Sequence, residues 1–392
     1  MRVLFVSDLY STPRAPRRGV GNARIVHAMR EFADIQVISP VPWYPRAITH
    51  RVAALRALAQ LPPTDMDDDG STVLHPRRLQ IPRSFASQAA LYALSMVGPI
   101  RAEVRRYRPD VVMTAWAYPD ATAMVPLAHA LGLPVAVRVL GSDINDYAHK
   151  RFRRPQIARA MRRAERIIAV SKGLRDELVG LDVVSDRIVI VPTGVDREKF
   201  FPVDRDEARA AIGIDARPLI AVPARLAPEK GITVLLDALA GLPEAQCVLI
   251  GEGRQRFELH AQCARLGIAE RVHFAGFQPE SRIRLYASAA DLVCLPSFEE
   301  GWPDAIMEAF SCGCPVVASA VGGVPEQIAL TNCGLTAPPG DVDGLRLALR
   351  AALDRTWDRA ACAAAMAKHT LTRTGERYVE VCAEAASVYR RR

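Results

Sequence analysis

The sequence predicts an α/β protein built from two parallel, doubly wound sheets, each in its own domain. Three observations carry this. Short apolar strand candidates alternate with helical segments along nearly the whole chain, in two successive series. The strands are mostly continuous apolar runs, as strands covered on both faces must be. And 392 residues is more than one ordinary hydrophobic core uses.

In the first series the strand candidates are Val3–Val6, Ile35–Ile38, Val111–Thr114, Val135–Val139, Ile167–Val170 and Ile188–Val191. Helical patterns lie between most of them, including Ala23–Phe32, Ala86–Tyr107 and Arg159–Ala164. The Asp-rich stretch Pro62–Gly70 reads as a mobile surface loop. After Pro192–Pro202 the second series runs Leu219–Val222, Cys247–Ile250, Val272–Phe274, Leu292–Leu295 and Val316–Ala318. The chain closes on an amphipathic helix with Tyr378, Val381, Cys382, Ala385 and Val388 or Tyr389 on one face, expected to return to the first domain. The expected division is thus 1–195, 196–371 and a returning helix at 372–392. No internal repeat of 20 to 50 residues is visible, which excludes a solenoid.

Composition narrows the function classes. With 50% hydrophobic and 24% charged residues the chain reads as an ordinary soluble protein. The longest apolar stretch, Ala121–Val137, is broken by His129 and by Gly132-Leu133-Pro134 and is too short to span a membrane. Met1-Arg2-Val3-Leu4 enters a strand at once, with no signal-peptide pattern. The eight cysteines form no C-x-x-C pair and Cys312-Gly-Cys314 lacks histidine partners, so buried thiols in a reducing cytoplasm are expected, with no metal and no disulfide framework. Residues 1–200 hold 30 Lys and Arg against 19 Asp and Glu, while the remainder holds 21 against 24. The excess includes Arg101, Arg105, Arg106, Arg108 and the run Lys150–Ile168. A basic first domain reads as a solvated helix face, or as a surface for an anionic membrane or a lipid-phosphate substrate. Nucleic acid is not expected, because the arginines lack interleaved aromatics.

In doubly wound folds ligands bind at the carboxyl ends of strands. Ser7-Asp8 and then Gly19-Val20-Gly21-Asn22 follow the first strand, and Leu140-Gly141-Ser142-Asp143 follows Val139. In the second series Arg225 and Lys230 follow Val222, Gly251-Glu252-Gly253 follows Ile250, and "PSFEEGWPDAIMEAFSCGC" follows Leu295. An arginine and a lysine between a strand and a helix suit a diphosphate: the guanidinium forks onto oxygens and the ammonium acts as a point charge. The structural alternative for Arg225 is a loop salt bridge with Glu229. Neither Gly19-x-Gly21 nor Gly251-x-Gly253 completes a dinucleotide fingerprint, and there is no P-loop, which disfavours NAD enzymes and P-loop NTPases.

Helical phasing from Pro303 places Asp304, Glu308 and Ser311 on one polar strip of an otherwise apolar helix. Glu300 precedes the Gly-Trp-Pro break and is free of that track. Ionised carboxylates accept hydrogen bonds only, so hydroxyls of a sugar are natural partners. None of the eight histidines follows an evident strand.

The ordered set "VPTGVDREKF", "RLAPEKG", "IGEGRQRFEL", "VHFAGF" and "LPSFEEGWPDAIMEAFSCGCPVVASAVGGVPEQI" closely resembles the retaining group 1 glycosyltransferases of family 4, enzymes of the GT-B fold. "SPVPWYPR" and "WAYPDA" with "GSDIND" extend the resemblance to the first domain, where it looks like members that build bacterial surface polysaccharides. The resemblance implies two Rossmann-like domains across a cleft, an acceptor-binding first and a donor-binding second. It implies sugar transfer from a nucleotide-diphosphate sugar, with retention and without a metal or other cofactor, to a glycan or lipid-linked acceptor. From its charge, the basic first domain is expected to sit at the inner face of the cell membrane and to take a lipid-diphosphate-linked acceptor. Glu300 and Glu308 match the family's E-x7-E pair, with Glu300 on the donor sugar and Glu308 on the ribose. Arg225 and Lys230 would hold the diphosphate, Phe277 and Gln278 would flank the base, and Gly251, Gly301 and Trp302 complete the donor side. Gly19 and Gly21 would allow close approach of the donor phosphate. Asn22, Tyr118, Ser142 and Asp143 would face the acceptor.

Three positions depart from the family pattern: Leu140 where many members carry histidine, Pro303 in place of a glycine, and Asp304 at a site more often neutral. The alternatives are a degenerate relative that binds nucleotide or polysaccharide without turnover, and a sugar-nucleotide epimerase of the same fold.

Overall fold

A computed structural model describes residues 1–43, 57–81, 87–214 and 218–391. They form two compact units, Met1–Pro192 with Thr372–Arg392, and Thr193–Leu371. Of the stretches singled out in the sequence, Tyr44-Pro45-Arg46, Ala86 and Arg392 lie outside the described residues.

The first unit contains β1 (Arg2–Val6), β2 (Asp34–Ile38), β3 (Val41–Trp43), β4 (Thr64–Met66), β5 (Thr72–Leu74), β6 (Arg77–Leu79), β7 (Val111–Ala115), β8 (Val135–Val139), β9 (Arg166–Ala169) and β10 (Ile188–Ile190). Eight of them form one sheet in the order β10-β9-β8-β7-β1-β2-β5-β4, and β3 pairs with β6. All pairings are parallel except β4 with β5. Val3 to Val6 on β1 and all of β7 and β8 are buried, as the continuous apolar runs require. The helix Leu371–Arg390 belongs to this unit by its contacts: the Tyr378 hydroxyl accepts from Arg138 Nε at 3.0 Å and Glu384 accepts from Arg166 Nε at 3.0 Å. Its buried stripe is Tyr378, Val381, Cys382 and Ala385.

The second unit holds β11 (Leu219–Pro223), β12 (Gln246–Ile250), β13 (Val272–Gly276), β14 (Leu292–Leu295), β15 (Val316–Ser319) and β16 (Gly334–Ala337), all parallel, in the order β13-β12-β11-β14-β15-β16. Strand order reverses between β11 and β14, which opens a crevice at their carboxyl ends. One side of the sheet is closed by a core of Ile220, Val222, Leu235, Leu239, Leu249 and Leu349.

The structure corrects the sequence reading in places. Pro62–Gly70 is not a mobile loop: Thr64–Met66 pairs antiparallel with Thr72–Leu74. Asp67 there is buried, bonded by Tyr10 Oη at 2.9 Å and by Arg30 Nη1 at 2.7 Å. The Asp run looked solvated because its partners lie 57 and 37 residues earlier. His75 directly follows β5, so one histidine does sit at a strand end; it is buried, with Nδ1 2.8 Å from Ser39 O. The β3–β6 pair and β16 are too short or too polar to read as strands locally.

Candidate functional site

The loops that leave β11, β12, β14 and β15 meet at one edge of the second sheet, and glycines set how closely. Gly251 turns with φ 155°, and a Cβ there would lie 2.1 Å from Ala224 O. The loop after β12 is thereby zipped to the loop after β11: Leu226 N donates to Glu252 O at 3.1 Å and Gln255 N to Leu226 O at 3.0 Å. On the other side Gly322, at φ +51°, lies so close that a Cβ would be 1.8 Å from Glu300 O. Only glycine fits such an approach.

Lys230 and Glu300 are held together at this edge. Lys230 Nζ donates to Glu300 Oε1 at 2.6 Å, and Ser297 Oγ donates to the same oxygen at 2.7 Å. The Lys230 side chain is 19% exposed and that of Glu300 9%, so the pair is largely out of solvent. Arg225 is different. Its guanidinium is 71% exposed and donates to Glu229 Oε1 at 3.0 Å, the salt bridge that spacing alone suggested. Asp304 opens the helix Asp304–Ser311, where a carboxylate is favoured by the positive end of the helix dipole. Glu308 is buried on the same helix and lines a small, otherwise apolar pocket with Pro223, Ile250, Ala287, Val293 and Ala305. The expected polar strip is therefore split, because Ser311 turns inward and donates to Phe200 O at 2.6 Å.

The remaining donor-side candidates divide by exposure. Phe277, following β13, is exposed, and Gln278 Nε2 donates to Ala275 O at 2.6 Å. Trp302 is buried and its indole N–H donates to Thr193 O at 2.9 Å, so its side chain serves packing within the unit. Gly301 O accepts from Gly323 N at 2.9 Å, which ties the loop after β14 to the loop after β15. Pro303 precedes the helix at φ −67°, the value its ring fixes, and its carbonyl accepts from Gln327 Nε2 at 3.0 Å, so the departure from glycine is accommodated.

In the first unit two of the four side chains named for the acceptor, Asn22 and Asp143, bond backbone groups. Gly19 caps the helix Val20–Arg30 at φ +70°, its Cβ position 2.3 Å from the Leu9 carbonyl carbon, and Gly21 lies in that helix's first turn. Asn22 is buried; it donates to Leu9 O at 2.7 Å and accepts from Arg138 Nη1 at 2.7 Å. Asp143 is fully buried and accepts from the backbone N–H of Ala117, Leu140 and Gly141 at 2.9, 3.0 and 2.9 Å. It thereby pins Leu140 and the turn after β7. Burial pushes the Asp143 carboxyl above its usual range, against these three donors. Tyr118 is buried with the Arg153 guanidinium 5.0 Å from its ring centroid; Ser142 alone of the four is exposed.

Sequence reasoning missed a buried charge cluster at the β1/β7 edge of the first sheet. Arg78 forks onto Asp8, with Nε to Oδ1 at 2.9 Å and Nη2 to Oδ2 at 2.5 Å. Asp120 Oδ2 accepts from Ser7 Oγ and Asp8 N, both at 2.9 Å. Burial, and then the charge of Asp8, raise the Asp120 carboxyl well above the usual carboxylate range. Asp8 was visible as a strand-end residue. Arg78 carried no local signal, since β6 itself was not recognised.

Among the described residues no group of three or more His, Cys, Asp or Glu is placed to hold a metal ion, and no helix is long and apolar enough to cross a membrane. What the second unit's edge does offer is cations, carboxylates and close-packed backbone around one crevice.

The profile of the glycosyl transferases group 1 matches residues 204–369, and that of glycosyltransferase family 4 matches residues 46–199. A D-inositol 3-phosphate glycosyltransferase of Mycobacterium sp. strain KMS is 37% identical over 224 residues, 54% of this chain and 50% of the relative. The chain thus spans about half the length of such curated relatives. A Bacillus subtilis protein provisionally named as a teichuronic acid biosynthesis glycosyltransferase is 26% identical over 83% of this chain and 82% of its own length. Among solved structures, sucrose-phosphate synthase of Thermosynechococcus elongatus superposes with a TM-score of 0.73 at 20% identity, covering 100% of this chain and 98% of the other. Anabaena HepE in complex with UDP and glucose gives 0.72 at 21%, covering 97% and 98%. These likenesses show a GT-B fold, and with the two matched profiles the chain belongs to the group 1 glycosyltransferases of family 4.

Proposed function

We propose that the protein is a retaining, metal-independent glycosyltransferase that moves a sugar from a UDP- or GDP-sugar to a hydroxyl of a glycan or lipid-linked acceptor during synthesis of a bacterial surface polysaccharide. The observation that carries this is the convergence of Arg225, Lys230 and Glu300 on the crevice where the second sheet reverses. Arg225 and Lys230 would stabilise the charge that develops on the leaving diphosphate. Glu300 would meet the donor sugar, Glu308 the ribose, and the exposed Phe277 the base.

In this reading the acceptor oxygen bonds to the anomeric carbon on the face that the diphosphate leaves. The bond from carbon to diphosphate oxygen breaks, and the acceptor proton passes to the diphosphate. No covalent enzyme intermediate forms. Lys230 exchanges part of its bond to Glu300 for phosphate oxygen, which frees Glu300 for a sugar hydroxyl. The first unit would take the acceptor, with Ser142 and the Gly19 loop at its sheet edge and Tyr118 and Asp143 supporting from behind.

An anionic membrane surface as the workplace is supported by the helix Gln88–Tyr107. Leu94 and Val97 are exposed there at 72% and 41%, followed at helical spacing by exposed Arg101 and Arg105. The protein should then pellet with anionic liposomes at low salt, and failure to do so would favour a soluble acceptor. The decisive test of the activity is a screen of nucleotide-sugars with membrane extract as acceptor, reading released nucleoside diphosphate. Tight nucleotide binding with neither transfer nor hydrolysis for any donor would make the protein a binding relative rather than an enzyme.

A further inference from the structure

Besides Arg225 and Lys230, the crevice edge carries a cation that neither the sequence motifs nor the charge pairing above assigned. Arg254 lies in the loop after β12, with its guanidinium 74% exposed and its Nη2 3.9 Å from Glu229 Oε2. The other oxygen of Glu229, Oε1, takes Arg225 at 3.0 Å. One carboxylate is therefore flanked by two exposed guanidiniums. It is set between them by rigid parts: Glu229 O accepts from Phe298 N at 2.9 Å, and the Arg254 loop is zipped onto residues 224–226 through Gly251, Glu252 and Gln255. The trio keeps one net positive charge, and it places two guanidiniums, each by one Nη2, beside the two oxygens of one carboxylate, the placement that would let both turn their forks onto a diphosphate.

We infer that Glu229 is a built-in stand-in for the donor's diphosphate, and that Arg254 is a third cation of the diphosphate site, handed over together with Arg225 when the nucleotide arrives. This rests on the donor site proposed above. The exchange costs little, because both arginines are more than 70% exposed and surface pairs are held weakly. A displaced Glu229 stays close to the diphosphate, so its charge opposes binding even after the exchange.

The consequence has an unusual sign: removing an acid from the site should improve it. With the full chain and UDP and GDP as calorimetric probes at low salt, E229Q should bind the preferred nucleotide about threefold to tenfold more tightly than wild type, the gain expected from releasing two exposed ion pairs. R254Q should bind it several-fold more weakly and with a flatter salt dependence. E229Q should leave the melting temperature within a few degrees, since exposed pairs add little stability. If Glu229 only braces its loop, E229Q will bind equally or more weakly, and the inference fails while the donor site stands. It fails equally if R254Q binds as wild type does. If wild type binds neither UDP nor GDP, the donor-site reading falls first and takes this inference with it.

Discussion

At Gly322 the backbone takes φ +51°, and an added Cβ would lie 1.8 Å from Glu300 O and 2.8 Å from its carbonyl carbon. Real Cβ atoms stay beyond 3.0 Å, so the loop of Glu300 must retreat by at least about 1.2 Å in a Gly322→Ala variant. No flexible side chain can absorb this, because the obstructing atoms are backbone. The left-handed conformation adds roughly 1–2 kcal/mol of strain for alanine, and displacing packed backbone adds about 1–3 kcal/mol. The second unit should lose roughly 2–5 kcal/mol, or about 5–15 °C of melting temperature for a unit of this size. The functional loss should be larger than a stability defect explains, since Glu300 would leave the 2.6 Å bond to Lys230. A misplacement of about 1 Å can cost on the order of a hundredfold in rate. Gly267→Ala is the control: its φ is +69°, yet nothing lies within 4 Å of its Cβ position. That variant should show only the strain, a few degrees, with nucleotide binding and donor turnover unchanged. Thermal unfolding, nucleoside diphosphate calorimetry and donor turnover of both variants make the test. The close-approach reasoning would be refuted by G322A keeping turnover within about threefold of wild type, or by G267A losing as much.

Lys230 and Glu300 should couple strongly in a double-mutant cycle. K230M leaves a mostly buried carboxylate with Ser297 alone and should cost about 1.5–3 kcal/mol in stability; K230M with E300Q should recover part of that in urea melts, and strictly additive effects would contradict the pairing. Asp120 makes a pH prediction. Its carboxyl is raised well above the usual range, by burial and then by Asp8, so the folded state binds a proton that the unfolded state releases above about pH 4. Its contribution to stability is thus fully present below the unfolded value and fades as pH rises through the folded one. D120N keeps an oxygen for Ser7 Oγ and Asp8 N but carries no titration, so its stability should fall less than wild type's from about pH 4 toward neutrality. Parallel pH profiles of the two proteins in thermal melts would contradict the raised Asp120 carboxyl.

Much of the architecture was legible because strands and helices write themselves locally. The continuous runs at β7, β8, β12 and β14 could only be strands covered on both faces, and the 3–4 spacing of Tyr378, Val381, Cys382 and Ala385 marked the buried stripe of the last helix. Arg225, Lys230, Glu300 and Glu308 could be named because strand ends and helical phase are one-dimensional properties. Their pairing could not. Whether Lys230 met phosphate or Glu300 depended on two loops 70 residues apart, and the burial of Glu308 depended on β11 and β12 beside it.

The same limit governs groups whose partners lie far along the chain. The Asp-rich stretch before Gly70 has the composition of a loop, and its role as a sheet-edge hairpin follows from Arg30 and Tyr10, which no local pattern connects to it. Asn22 and Asp143 look like strand-end ligands, and only the packed structure turns them toward Leu9, Arg138 and three backbone amides. By itself the sequence determined the alternation of elements, the two sheets and the chemical types offered at their edges. Tertiary structure decided which of those groups face each other, because burial and partnership belong to residues distant in the chain, and an electrostatic role belongs to a set of neighbours rather than to one residue.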